Sequence, residues 1–204
     1  MTQERSQRDR RTEMLEIAGP LFLEHGYQGT SMSQIAAAVG GSKGTLYAYF
    51  ENKEALFAAH MEMQVRARGA KVFDFPDHAD NLEEMLTRLG RRYLKLITEP
   101  DAVSMLRLLY HESPRFPEIG RIFHDTCLLR GRRQLAEYLS RAHDKGVLEI
   151  PDPNLAAEQF LMLCHANLIM PLMLCVKTEI TEQEAEKVVS SAVALFLAAY
   201  KPKR

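Results

Sequence analysis

TSMSQIAAAVGGSKGTLYAYFENK, residues Thr30–Lys53, predicts two very short helices on either side of a double glycine. Thr30 or Ser31 is placed to cap a helix over Met32–Val39, Gly40 and Gly41 close it, and Ser42 caps a second helix running to about Phe50. Ile35 and Val39 fall on one face of the first helix, and Leu46 with Phe50 supplies the buried side of the second. Ala36 is small enough to let the helices approach closely, and Gly40 can make the turn between them. Two short helices crossing steeply in this way match a helix-turn-helix that lays its second helix in the DNA major groove. The remaining residues of that second helix suit the task. Ser42 opens a helix N-terminus, which favours anions, Lys43 adds charge, and Gly44 lets backbone come close to DNA. Thr45 offers a hydroxyl or a methyl, Tyr47 and Tyr49 carry hydroxyls toward the sugar-phosphate chain, and Lys53 is a further phosphate candidate.

Outside this stretch the composition is that of a folded protein: 204 residues, 46% hydrophobic and 26% charged. A formal net charge of -1 gives no global attraction for nucleic acid, so any DNA contact must be local. Arg5, Arg8, Arg10 and Arg11 outnumber Glu4 and Asp9 in a small basic arm. Three cysteines and the lack of an apolar leader before residue 15 fit a reducing cytoplasm. Leu155–Val176 is the most apolar stretch, but Glu158, Gln159, His165, Asn167 and Pro171 argue for a buried helix and no membrane partner.

Apolar residues recur at helical spacing almost throughout, and no stretch alternates as a strand does, so the predicted fold is all-α with about nine helices. A first helix is expected over Arg10–His25, stopped by Gly26, and a long one from Lys53 to about Val72. Asp80 with Glu83 reads as a capping box for a helix ending near Thr98, and Pro100 opens another that stops before Pro114. A long helix follows over Pro117–Lys145, then the apolar helix from Pro153, and finally one capped by Thr181 with Glu184 and ending at Tyr200. The expected organisation is a DNA-binding module over 1–53, a connecting helix over 53–73, and a larger helical ligand-binding and dimerisation domain over 74–204.

The ordered run Gly41–Phe57, GSKGTLYAYFENKEALF, resembles the signature of the TetR family of one-component regulators, and the match extends back through Gly26, Tyr27, Thr30, Ile35 and Val39. That resemblance implies a homodimer whose third helix enters the major groove. Phosphate contacts would come from Thr30, Ser31, Tyr47, Tyr49 and Lys53, and base contacts from around Lys43, Gly44 and Thr45. Gly41 departs from the pattern, which usually has a branched apolar residue there; the lost packing costs about 1 kcal/mol. His111–Asp125, HESPRFPEIGRIFHD, resembles the C-terminal domains of AefR-like TetR regulators, with similarity continuing through Gly146, and implies a regulatory domain without naming a ligand.

Two competing patterns are weak. Gly40–Gly44 spells G-x-S-x-G, but a nucleophile elbow needs a preceding strand, and His60 with Glu62 lacks the cysteine pair of a zinc deaminase. No catalytic constellation, metal site or cofactor is expected, and an enzyme is not the expected reading. In the last helix Val188, Ala192, Leu195, Phe196 and Ala199 form an apolar stripe; with the preceding apolar helix it predicts a four-helix homodimer interface. Met105, His111, His124, Cys127, His165 and Asn167 are polar or soft residues within apolar helices and are candidates to touch a small apolar or amphipathic effector. Cys164 and Cys175, eleven apart, would share a helical face about 16 Å apart, beyond disulfide reach. Arg130, Arg132 and Arg133 read as a solvated helix face. The expected function is a repressor of a palindromic operator released by such an effector; control by thiol oxidation or by a partner protein is the alternative.

Overall fold

The computed structural model describes residues 2–69, 72–75 and 81–202, with the side chains of residues 2–8 outside that description. Every regular element among the described residues is helical. Helix α1 is Thr2–Gly29, α2 Met32–Ala38, α3 Lys43–Tyr49 and α4 Lys53–Gln64, which continues as a π-helical turn over Val65–Gly69. Then follow α5 Leu82–Thr98, α6 Pro100–Glu112, α7 Pro117–Phe123, a second π turn over His124–Leu128, and α8 Leu129–Asp144. Helices α9 Pro153–His165, α10 Ile169–Met173 and α11 Glu182–Tyr200 complete the chain.

Several boundaries differ from expectation, each for a local reason. Gly26 interrupts α1 at φ 74°, ψ 168°, but helical turns resume to Gly29. Asp80 lies outside the described residues, and Asn81 is the cap of α5, its Oδ1 accepting the N–H groups of Glu83 and Glu84. The single long helix over Pro117–Lys145 contains the π turn at His124–Leu128. The apolar helix from Pro153 stops at His165, because Ala166 adopts φ 30°, ψ -116°, and Cys175 after α10 sits at φ 57°. Cys164 is therefore buried inside α9 while Cys175 is exposed beyond α10, and the shared helical face does not exist.

The chain divides into two compact units, Met1–Ala67 with Ser104–Cys127, and Arg68–Val103 with Leu128–Arg204. This division cuts across the boundary expected near residue 74, part of whose loop, residues 76–78, lies outside the described residues. Unit 1 is built on Met14, Leu15, Phe22, Ile35, Leu46, Leu56 and Phe57, all nearly inaccessible. Burying each such side chain contributes about 1.5–3 kcal/mol. Phe22, Tyr27 and Phe57 meet with ring centroids 5.2–5.8 Å apart, and Phe116 adds a fourth ring 5.4 Å from Tyr27. Unit 2 packs α5, α8, α9 and α11 around Leu86, Leu89, Leu135, Leu139, Phe160, Val189 and Phe196. The apolar stripe of α11 divides: Ala192 and Phe196 belong to this core, Val188 packs at its edge, and Leu195 and Ala199 face outward.

Candidate nucleic-acid interface

Capping fixes the two short helices. Ser31 is the N-cap of α2; its hydroxyl accepts the Gln34 N–H, and the Gln34 amide oxygen accepts the Ser31 N–H at 2.8 Å. Ser42 caps α3, accepting the Thr45 N–H at 3.0 Å, and its hydroxyl lies 2.9 Å from the Thr45 hydroxyl. Gly40 connects them at φ 69°, a left-handed conformation that glycine adopts without penalty. Gly41 has ordinary contacts: a methyl there would lie 3.7 Å from the Arg10 guanidinium. Arg10 donates to the Val39 carbonyl at 3.3 Å, closing the C-terminus of α2, and pairs with Glu13 at 2.6 Å. Arg11 lies over the Phe50 ring, 5.1 Å from its centroid. These two arginines of the basic arm brace the module, a role that sequence reading missed; Arg5 and Arg8 lie outside the described side chains.

Leu46 is buried beneath α3, and Ser42, Lys43, Gly44, Thr45, Tyr47 and Ala48 are exposed on it. Lys43 reaches over the Tyr47 ring, 5.8 Å from its centroid, and Tyr47 is 44% exposed. Tyr49 is half-buried against the core of unit 1. Thr30 is different: it is 1% exposed, and its hydroxyl donates toward the carbonyls of Gly26 at 2.7 Å and Leu21 at 3.0 Å. Its side chain positions the turn into α2 and does not face outward. The Lys53 ammonium donates to the carbonyls of Tyr27 at 2.6 Å and Thr30 at 2.9 Å and lies 4.3 Å from the Tyr27 ring centroid. Two of its three N–H donors are thereby used internally. Burial lowers the Lys53 pKa, and the carboxylates of Glu112 and Glu118 partly counter that. The Tyr27 hydroxyl is pushed up to about 12, chiefly by burial and then by Glu118 and Glu54.

The six candidate effector contacts divide between the two units. Met105 is buried in the core of unit 1 and Cys127 packs at its edge, whereas His111 and His124 are exposed, His124 within 2.8 Å of Asp125. His165 and Asn167 belong to unit 2, His165 half-buried and Asn167 exposed. Burial pushes the thiols of Cys127 and Cys164 up to about 12, which keeps them protonated and disfavours oxidation. In the arginine cluster, Arg132 donates to Glu158 at 2.6 Å.

A short helix with its polar face outward, held by a capped glycine turn across a second short helix, defines a helix-turn-helix DNA-binding regulator. Residues 15–60 match the model of bacterial regulatory proteins of the tetR family, and residues 84–202 match the C-terminal domain of AefR-like transcriptional repressors. The chain belongs to the TetR family of transcriptional regulators. It is similar to the HTH-type transcriptional repressor AcnR of Corynebacterium diphtheriae, 31% identical over 141 residues that span 69% of this chain and 72% of that one. Among solved structures, the flavonoid-responsive regulator FrrA aligns with a TM-score of 0.85 at 35% identity, covering 96% of this chain and 99% of that one. A TetR-family regulator from Mesorhizobium loti shares the fold, with a TM-score of 0.79 at 24% identity over 96% of this chain and 98% of that one. Among the described residues no helix is long and apolar enough to cross a membrane.

Proposed function

We propose that the chain is a homodimeric repressor that reads a near-palindromic operator in the cytoplasm and is released by a small apolar or amphipathic effector. The observation that carries this reading is the outward face of α3, where Lys43, Gly44 and Thr45 stand exposed on a helix whose other side is fixed by Leu46. Lys43, Gly44 and Thr45 supply base contacts; Ser31, Ser42, Tyr47, Tyr49 and the third donor of Lys53 supply phosphate contacts, and Thr30 contributes by holding the turn. The DNA-reading part is residues 1–53, joined through 53–73 to a ligand-binding and dimerising part over 74–204. Two copies are needed because a palindrome presents two half-sites about 34–36 Å apart, or a multiple of that spacing. The exposed apolar residues Leu155 and Met162 on α9 and Leu195 on α11, two helices that pack together, suit a two-fold interface with a second copy. The flavonoid response named for FrrA supports a small-molecule effector in this chain too.

Footprinting on the chain's own promoter, with sedimentation of the free protein, tests the reading. Protection of a two-fold symmetric site by a dimer is expected. A monomer with no preference over random duplex would overturn it.

A further inference from the structure

The surface that α3 and its cap turn outward carries little hydrogen-bonding chemistry. Its exposed residues are Ser42, Lys43, Gly44, Thr45, Tyr47 and Ala48, and none of these is Asn, Gln, Asp, Glu or Arg. Those five side chains are the ones that fork onto adenine or guanine or accept from cytosine, so Lys43 is the one residue of this face suited to a guanine edge. At 100° per residue, Gly44 and Ala48 each stand about 160° around the helix from the buried Leu46. They are its outermost positions, with Tyr47 on one flank and Thr45 on the other. Lys43 belongs to the Tyr47 flank, its ammonium 5.8 Å from the ring centroid, which leaves the other flank to Thr45. The middle is open: the side-chain atom nearest to a Cβ placed on Gly44 is the Ser42 hydroxyl oxygen, 3.7 Å away.

Thr45 has two groups to offer, and the cap takes one of them. Its hydroxyl lies 2.9 Å from the Ser42 hydroxyl, which also accepts the Thr45 N–H at 3.0 Å, so the Thr45 oxygen is turned back toward the start of the helix. The methyl shares a Cβ with that oxygen and cannot point the same way, so the exposed Thr45 presents its methyl away from the cap. Ala48, three residues on, adds a second methyl beside it, since the Cβ atoms of such neighbours are about 5–6 Å apart. In the major groove the matching feature is the C5-methyl group of a pyrimidine, which thymine carries and 5-methylcytosine shares.

We propose that Thr45 is a specificity-determining residue that reads a pyrimidine C5-methyl group in each half-site through its own methyl, with Ala48 beside it, while its hydroxyl serves the cap. The proposal rests on the reading that α3 lies in the major groove, and it names the base feature recognised there.

Gel-shift titrations of the full chain on its footprinted operator test this, with thymines replaced by uracil one symmetric pair at a time so that only C5-methyl groups are deleted. At one pair the affinity is expected to fall about fifteenfold, or about fourfold for each methyl, the scale of one buried carbon. Thr45→Val keeps the methyl without the hydroxyl and is expected to retain the discrimination. Thr45→Ser keeps the hydroxyl without the methyl and is expected to bind thymine and uracil duplexes alike. If the base read is cytosine, uracil replacement is silent and methylating cytosine C5 raises affinity by the same factor, again only while the Thr45 methyl is present; the two arms thus tell the two bases apart. A discrimination that survives Thr45→Ser, or that is lost with Thr45→Val, overturns the proposal. A native chain that protects a symmetric operator yet is indifferent to every replacement and to cytosine methylation also overturns it, and the reading of α3 as the DNA-reading helix stands. A native chain with no preference over random duplex overturns both.

Discussion

A methyl group at position 44 would lie 3.7 Å from the Ser42 hydroxyl, an ordinary contact, so the fold itself makes no demand for glycine there. Gly44→Ala should raise helix stability by up to about 1 kcal/mol. If DNA comes close at this point, the same change should weaken operator binding by about tenfold or more; a thermal melt beside a gel shift would show the two effects moving in opposite directions. Thr30→Val should behave in the reverse way. It leaves the Gly26 and Leu21 carbonyls short of a donor at a cost of about 1–3 kcal/mol, visible as a lower melting temperature, with the salt slope of binding unchanged. Lys53→Ala removes a cation as well as a tie from each copy, so the slope of log affinity against log salt should shallow by about 1.8 for the dimer if the third ammonium donor meets a phosphate. Changes at Lys43 or Thr45 should instead alter sequence preference, readable by titrating variant operators. The outward candidates on α3 were legible in the sequence because they lie within one turn of a recognisable cap. The inward turn of the Thr30 hydroxyl was not, since its acceptor at Leu21 is fixed by the path of α1 around Gly26.

Caps and glycines made the short helices readable: Ser31 and Ser42 each accept the N–H three residues on, and Gly40 makes the turn between the helices. The capping box at Thr181 and Glu184 also forms as expected, reinforced by an ion pair with Lys177. That pair and the Thr181 hydrogen bonds hold the Glu184 carboxyl down to about 2, against an ordinary value of 4.5. A carboxylate depressed in the folded state stabilises above its unfolded pKa and loses that contribution as pH falls. The start of α11 should therefore loosen between about pH 4.5 and 2, and Glu184→Gln should flatten the acid side of a melting-temperature profile across that window. The break after His165 was marked only by Pro171, which a continuous helix would not tolerate and which falls in the first turn of α10. Cys-His-Ala-Asn-Leu itself contains neither glycine nor proline, and the sequence pattern continues apolar to Val176, so the place of the turn at Ala166 was not legible. The π turns at Val65–Gly69 and His124–Leu128 were silent for the same reason, as their residues would also suit an α-helix.

At the scale of the whole molecule, the proposed dimer makes the strongest demand. Leu195 is 56% exposed in the middle of α11, where a charge costs nothing in a monomer and is expensive in a closed interface. Leu195→Arg should leave the melting curve of the monomer intact while shifting sedimentation to half the mass and removing tight operator binding; an unchanged dimer would place the interface elsewhere. The two segments of the first unit end at Ala67 and Cys127, each inside one of the π turns. Such a turn accommodates one residue more than an α-helix would over the same length. Deleting a single amino acid from either would restore regular winding over the same length and leave the side chains beyond it in that helix facing as before. The extra residue in each turn is thus dispensable to the facing of its own helix, whereas a deletion a few positions away would swing the rest of that helix by about 100°.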